Sequence, residues 1–403
     1  MIPFDRVFAI TAAISGFVDL ARSHGDESPA LHLSGHAIGM KPMNPVVSRD
    51  PASDPFINLN SAGWNDDWQA VFATAAPPGS MPARILVHHR TCYDLITTTG
   101  EQSGILSGAL RDLPVGENQP AVGDWVAIDR ATADPCRIVA QLPRRTCVRR
   151  MAVGDPPYAQ VIAANVDTVL VVCGLDRDFN LRRLERYLIG VADSGAGAVV
   201  VLTKSDLVAD AGKAVEACAG ITTAPIHAVC APSGVGIADV AAGIRPGTTV
   251  AVVGSSGAGK SSLINALIGK HVQGTGEVRD DDGRGRHTTT ARVMLPLPSG
   301  AMILDTPGMR TLELVADSDE VSAGFSDITM LAAQCRFRDC RHRGEPGCAV
   351  QQAVGEGDLA AGRLTNYHKL LREAGRRQKI NDGEERRHQR AKRKSGDHLW
   401  LDE

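Results

Sequence analysis

Nine consecutive residues in the second half of the chain combine glycines with one lysine and several hydroxyl side chains. Gly254, Ser255, Ser256, Gly257, Ala258, Gly259, Lys260, Ser261 and Ser262 fit the pattern G-x4-G-K-[ST]. Glycines let successive backbone N–H groups turn towards phosphate oxygens, the lysine neutralises the β- and γ-phosphates, and the Ser261 hydroxyl can bind Mg²⁺. The apolar run Thr249–Val253 precedes this loop and a helical segment, Lys260–Ile268, follows it. The sequence therefore predicts a nucleoside triphosphate site.

A second motif indicates which base is bound. Thr203, Lys204, Ser205 and Asp206 follow the apolar run Ala198–Leu202 and match [NT]-K-x-D. Asp206 would accept hydrogen bonds from N1–H and the exocyclic amino group of guanine, while the Lys204 stem would lie along the ring. Adenine lacks this pair of donors and would leave a carboxylate unpaired, which is strongly selective. Guanine is the predicted base.

A third motif, Asp305-Thr-Pro-Gly308, ends the apolar run Ala301–Leu304. Asp305 is expected to hold Mg²⁺ through water, and the Gly308 N–H is expected to donate to the γ-phosphate. Loss of this phosphate would then change the conformation of the loop.

The segment between the phosphate loop and Asp305 contains the run His287-Thr288-Thr289. A switch segment there should supply a threonine to Mg²⁺, and either Thr288 or Thr289 could serve. Met309 stands where Ras-type proteins hold a water-positioning glutamine, so His287 is the candidate to orient the attacking water. The alternative is that His287 only contacts a partner or caps the loop.

Four residues near the C-terminus have the spacing of a metal site. Cys335, Cys340, His342 and Cys348 supply three thiolates and one imidazole, which complete a tetrahedral shell typical of structural Zn²⁺. The alternative is three buried free cysteines and a surface histidine. An odd set of nine cysteines is no disulfide framework and indicates a reducing compartment.

The surrounding elements predict several domains. The 403 residues suffice for about 2.7 domains of ordinary size, and the net charge of −3 excludes a uniformly basic protein. Four β-prone runs, 83–89, 92–98, 122–129 and 136–142, predict a small barrel of the OB or SH3-like type. Apolar runs that alternate with helical segments over residues 160–315 predict a parallel sheet covered on both faces.

We divide the chain into four predicted regions: a poorly ordered leader at 1–62, an OB-type barrel at 63–148, a GTPase domain at 155–316 and a zinc module with a basic helical tail at 320–403. The apolar stretch Val7–Leu20 is too short for a transmembrane helix, and a signal peptide is disfavoured.

The guanine motif precedes the phosphate loop along the chain, and the motif that begins at Asp305 comes last. The order of the GTPase motifs is therefore circularly permuted relative to Ras-type proteins.

Basic segments favour contact with RNA. The tail Arg372–Lys394 holds ten Lys or Arg against four Asp or Glu, and the alternative is a solvated helix face. The pairs Arg144-Arg145 and Arg149-Arg150 at the junction of barrel and GTPase domain add to the expected phosphate contacts.

The permuted motif order, the barrel with its Val122-Gly-Asp-Trp125 run and the Cys/His cluster together resemble the RsgA (YjeQ) family over about residues 64–380. The resemblance implies an N-terminal OB barrel, a circularly permuted P-loop GTPase core and a C-terminal zinc module. It also implies GTP hydrolysis with Mg²⁺, stimulated by the small ribosomal subunit, in late maturation of that subunit through its rRNA. The expected protein is monomeric and cytoplasmic, without a membrane partner. Thr203 departs from the asparagine that is common at its position.

An alternative function is an RNA-binding assembly or checkpoint factor, in which the nucleotide sets the conformation and turnover is incidental. Met309 is the residue that favours this alternative.

Overall fold

The computed structural model describes residues 59–89, 91–112, 119–129, 135–152, 158–269, 293–305, 318–376 and 378. Residues 1–58 of the predicted leader and most of the basic tail lie outside this described part. Within it, a barrel, a sheet flanked by helices and a helical C-terminal module follow one another, as the sequence predicts. None of the described helices is long and apolar enough to cross a membrane.

The N-terminal domain is a closed barrel of five strands. The strands are β1 (Met81–His88), β2 (Tyr93–Thr97), β3 (Gly100–Leu106), β4 (Trp125–Ile128) and β5 (Cys136–Gln141). β1 pairs with both β2 and β4, and β3 pairs parallel with β5, which closes the ring in the order β1-β2-β3-β5-β4. The predicted OB-type barrel is thereby confirmed.

Two short helices accompany the barrel, α1 (Asp66–Ala75) before it and α2 (Gly108–Arg111) after β3. Trp68 of α1 packs against the fully buried Trp125 of β4, with ring centroids 5.8 Å apart. Within the barrel, β3 is the strand that the sequence analysis misses. Its sequence, GEQSGIL, is largely polar, and its position depends on pairing with β2 and β5.

An antiparallel hairpin, β6 (Cys147–Ala152) and β7 (Tyr158–Ala164), lies at the junction of the two predicted domains. The buried Arg84 of β1 reaches this junction. Its guanidinium donates to the carbonyl oxygens of Gly123 at 3.2 Å and Asn165 at 3.3 Å, and to that of Ala62. Arg84 thus ties the barrel to the segments on either side of it.

In its described part, the GTPase-type domain is built on six strands in the order β10-β9-β8-β11-β13-β12. They are β8 (Thr168–Gly174), β9 (Gly197–Thr203), β10 (Ile226–Ala228), β11 (Thr249–Gly254), β12 (Val293–Pro296) and β13 (Met302–Asp305). All neighbours are parallel except β12, which is antiparallel to β13. Along β8, Val169 and Val171 belong to one apolar cluster and Leu170 and Val172 to another, so both faces are covered.

Among the described residues of this domain, four helices connect these strands: α3 (Leu181–Asp193), α4 (Gly212–Ala219), α5 (Ile237–Ala242) and α6 (Lys260–Ile268). The Asn180 side chain caps α3 by accepting from the Arg183 N–H at 3.1 Å. The bounds of α6 agree with the sequence prediction.

The C-terminal module contains α7 (Ser318–Gly324), α8 (Ser326–Ala332), α9 (Ala349–Glu356) and α10 (residues 361–376). Its apolar core includes Ile189 of α3, so the module packs directly on the GTPase domain. Arg363 of α10 donates to Glu185 of α3 at 2.6 Å and to Asp327 of α8 at 2.5 and 2.8 Å. Because Arg363 and Glu185 are both largely buried, this network fixes the module against α3.

We predict that Arg84→Met lowers the free energy of unfolding by about 3–5 kcal/mol, because several buried carbonyl oxygens would lose their donor. Arg111→Met, at an exposed position of α2, is the matched control and should cost no more than about 0.5 kcal/mol. Urea unfolding followed by circular dichroism measures both values. Equal midpoints for the two variants would contradict the role given to Arg84.

Candidate nucleotide site and metal centre

The predicted phosphate loop connects β11 to α6 at the carboxyl edge of the parallel strands. Gly254 ends β11 with φ +150°, and a Cβ there would lie 2.2 Å from the Val172 carbonyl oxygen of β8. Gly257 and Gly259 also have positive φ, at +76° and +89°. The glycines of the motif are therefore required by backbone geometry as well as by close approach to a ligand.

The Lys260 side chain folds back onto this loop. Lys260 Nζ donates to the carbonyl oxygens of Gly254 at 2.8 Å and Ser255 at 2.5 Å, so the ammonium group lies over the loop. Ser256 and Gly257 are exposed, Ala258 is buried, and Ser261 and Ser262 are half-buried in the first turn of α6. The positive end of the dipole of this nine-residue helix lies at the loop and favours an anion there.

The predicted guanine motif contacts the phosphate loop directly. The Thr203 hydroxyl, at the end of β9, donates to the Ala258 carbonyl oxygen at 2.5 Å, although the two residues are 55 positions apart in sequence. A Cβ on Gly259 would lie 3.1 Å from Thr203 Oγ1. The threonine that replaces the common asparagine therefore still contacts the phosphate loop.

The remaining residues of the motif turn outwards. Lys204 has a left-handed backbone with φ +58°, and the Ser205 N–H donates to the Val229 carbonyl oxygen at 3.2 Å. Asp206 lies in a short 3-10 turn, Ser205–Leu207, and its side chain is exposed. The carboxylate that is expected to read guanine is thus accessible to a base.

Asp305 ends β13 and is 9 % exposed. Burial raises the pKa of this carboxyl, while the charge of Lys260 acts in the opposite direction. Ser261 and Asp305 are the two candidate Mg²⁺ residues that the structure describes. The other predicted site residues, His287, Thr288, Thr289 and Gly308, lie outside the described residues.

The sequence analysis misses two aspartates that touch the site. Asp176 accepts from Lys204 Nζ at 2.5 Å, and Asp178 accepts a hydrogen bond from the Ser255 hydroxyl. Both follow β8, which lies between β9 and β11 in the sheet. The strand order could have indicated them, because the loop after the middle strand must lie between the loops after its neighbours.

The four predicted metal ligands converge at one point. Their ligand atoms all lie within 4.8 Å of one another in Cys335, Cys340, His342 and Cys348. Cys335 Sγ is 3.9 Å from Cys348 Sγ and 3.6 Å from His342 Nδ1. Four-coordinate zinc with Zn–S bonds of about 2.3 Å needs sulfur atoms about 3.8 Å apart, so the donor set fits this ion.

The surrounding backbone orients these ligands. His342 has a φ of +58°, and its carbonyl oxygen accepts from Gln351 Nε2 at 2.7 Å. Cys348 caps α9, where its sulfur accepts from the Gln351 N–H at 3.4 Å. Burial lowers the pKa of His342, which favours the neutral imidazole that a metal requires.

Arginines near the domain junction have structural partners. Arg144 pairs with the buried Asp124 at 2.6 Å, and Arg149 pairs with Asp193 at 2.8 Å. Arg145 lies over the Trp68 ring at 4.4 Å, and Arg150 donates to Gln160. These contacts give the four side chains a role in holding the junction together, which the sequence analysis, in assigning them to RNA, does not anticipate.

Comparison with known sequences agrees with this geometry. The sequence profile of the RsgA GTPase family matches residues 141–315. A relative from Xanthomonas axonopodis pv. citri, named small ribosomal subunit biogenesis GTPase RsgA, is 46 % identical over 334 residues, which cover 80 % of this chain and 90 % of that protein. A relative of the same name from Opitutus terrae is 46 % identical over 329 residues, with coverage of 79 % and 90 %.

Comparison with solved structures gives a similar result. YjeQ from Thermotoga maritima superposes with a TM-score of 0.54 and 26 % identity, and the match covers 73 % of this chain and 98 % of YjeQ. YloQ, described as a circularly permuted GTPase, superposes with a TM-score of 0.52 and 22 % identity, and the match covers 74 % of this chain and 96 % of YloQ. This second likeness is one of fold alone. The permuted sheet, the closed barrel and the extent of these matches lead to one conclusion: the chain belongs to the RsgA GTPase family.

Proposed function

We propose that this chain hydrolyses GTP and that it acts in maturation of the small ribosomal subunit by binding rRNA. The observation that carries the proposal is the hydrogen bond between Thr203 and Ala258, which joins the guanine motif to the phosphate loop in one site. The names of the relatives support the assignment to the small subunit. We also propose that the protein is a monomer that works in the cytoplasm, as the resemblance to the family implies.

The roles of the described residues follow from their chemistry. Backbone N–H groups over Gly254–Ser262 and the Lys260 ammonium bind the phosphates, and Asp206 pairs with the guanine edge. Mg²⁺, when bound with GTP, would neutralise phosphate charge, and the Ser261 hydroxyl and Asp305 carboxylate would hold it. Because burial raises the pKa of Asp305, ionisation of this group requires a higher pH than an exposed aspartate does.

Three residues outside the described part complete the proposed site. Gly308 would donate its N–H to the γ-phosphate, and Thr288 or Thr289 would add a ligand to Mg²⁺. His287 would orient the attacking water in place of the glutamine that Met309 replaces, which implies slow hydrolysis by the protein alone.

A cleft beside the metal centre supports contact with RNA. It has a volume of about 290 Å³ and is lined by Arg341, Arg343, Arg372 and His368, among others. In the part of the chain that the structure describes, these three arginines form no ion pair with a carboxylate, unlike Arg363 or Arg144. The neighbouring Glu345 uses its carboxylate to accept the backbone N–H groups of Arg341 and Arg343. The cleft therefore suits a phosphate of an RNA backbone.

GTP hydrolysis by the purified protein, measured alone and with small ribosomal subunits at moderate salt, tests the proposal. We expect slow turnover alone and a rise of at least about tenfold with subunits, because completion of the switch region by a partner lowers the barrier. His287→Ala should abolish the stimulated rate and leave subunit binding intact. Slow hydrolysis that subunits do not change would contradict the ribosomal assignment while leaving the GTPase assignment in place.

We propose that the Cys/His cluster holds one structural zinc ion, because three thiolates and one imidazole leave no open coordination position. Metal analysis of the purified protein should give about one equivalent of zinc. Cys340→Ser should lose it and lower the melting temperature of the C-terminal module, whereas Cys92→Ser, at a half-buried cysteine of the barrel region, should retain it. A wild-type protein without metal would contradict the assignment.

The double variant Arg341→Gln/Arg343→Gln should bind small subunits more weakly. Each arginine that contacts a phosphate contributes about one unit to the slope of log affinity against log salt, so the slope should fall by about two. Filter binding over a salt series measures this slope. Arg111→Gln, on the barrel helix α2, is the control, and an unchanged slope in the double variant would rule out the cleft as a phosphate site.

A further inference from the structure

The loop of residues 175–179 contacts both halves of the nucleotide site, although it contains none of the GTPase motifs. It follows β8 and leads into α3, and its strand lies between β9 and β11. The Leu175 N–H donates to the Thr203 carbonyl oxygen at 2.8 Å, so the loop begins beside the guanine motif.

Asp176 uses both carboxylate oxygens. Its Oδ2 accepts from Lys204 Nζ at 2.5 Å, and its Oδ1 accepts from the Asp178 N–H at 2.9 Å. Burial alone would raise the pKa of Asp176, but the hydrogen bond and charge of Lys204 keep the pKa below its usual value. A Cβ on Gly174 would lie 3.5 Å from Lys204 Cδ, so the lysine stem runs close to the end of β8.

Asp178 binds a residue of the phosphate loop in a similar way. Its Oδ2 accepts from the Ser255 hydroxyl in the phosphate loop, and its Oδ1 accepts from Arg183 Nη2 at 2.6 Å. Arg183 lies on α3, the helix on which Glu185 binds Arg363 of the C-terminal module. The loop therefore connects the phosphate loop to the element that carries this module.

We propose that Asp176 and Asp178 are positioning residues of the nucleotide site: Asp176 holds Lys204 for the guanine ring, and Asp178 holds Ser255 of the phosphate loop. The proposal rests on the proposed GTPase function. The Lys204 stem is expected to lie along the base, and the Asp176 carboxylate fixes the ammonium group at the end of that stem. Ser255 follows the first glycine of the loop, so its position sets the direction of the N–H groups after it.

A double-mutant cycle tests the base side. Asp176→Asn should raise the Kd for a fluorescent GDP analogue about fivefold, because a charged hydrogen bond to Lys204 becomes a neutral one. In a Lys204→Met background the same substitution should change Kd less than twofold, since the carboxylate acts through the lysine. Asp239→Asn, at an exposed carboxylate of α5, is the control and should leave Kd unchanged.

A second double-mutant cycle tests the contact between Asp178 and the phosphate loop. Asp178→Ala should slow single-turnover hydrolysis of bound GTP about fivefold in the wild-type background and less than twofold in a Ser255→Ala background. An Asp176→Asn variant that binds GDP normally, or effects that persist in full without Lys204 or Ser255, would overturn the positioning roles. A wild-type protein that does not bind GDP would instead overturn the proposed function.

Discussion

The buried guanidinium of Arg84 is the interaction on which the arrangement of the domains depends. A buried charge of this kind must find oxygen acceptors, because leaving it unpaired costs several kcal/mol. Its acceptors come from the segment before the barrel, from the barrel, from Asn165 after β7 and, at 2.8 Å, from the Thr249 hydroxyl at the start of β11. Burial lowers its pKa only to about 10, so it stays charged at neutral pH. Since β11 ends in the phosphate loop, the same contact relates the barrel to the nucleotide site.

Circular permutation leaves the site intact because a parallel sheet places all its strand ends at one edge, whatever the order of the strands in the chain. The guanine motif after β9 and the phosphate loop after β11 are separated only by β8. The permutation does change what the site is attached to. The chain continues beyond β13 into the C-terminal module, and the Arg363 network also ties this module to α3. Two routes thus connect the nucleotide site with the module that contains the Cys/His cluster.

The elements with strong local patterns could be predicted from the sequence, and those that depend on partners could not. The apolar runs of β8, β9 and β11 and the metal-ligand spacing are local signals of this kind. β3 is too polar to be recognised as a strand from its sequence alone. Asp176 and Asp178 could be placed at the site only from the strand order, which puts the loop after β8 between the guanine motif and the phosphate loop. The pairing of Arg144 with Asp124 and of Arg149 with Asp193 could not be predicted, because a sequence shows the charge of an arginine but not the buried carboxylate beside it.

The claim that Asp206 and the phosphate loop form one guanine site is tested most directly by exchanging the hydrogen-bonding preference of Asp206. Asp206→Asn converts an acceptor into a group that can also donate, which suits the additional carbonyl oxygen of xanthine. Titration of wild type and variant with GDP and XDP should show a wild type selective for GDP and a variant whose preference has moved towards XDP. A variant that keeps the GDP preference of the wild type would contradict the account.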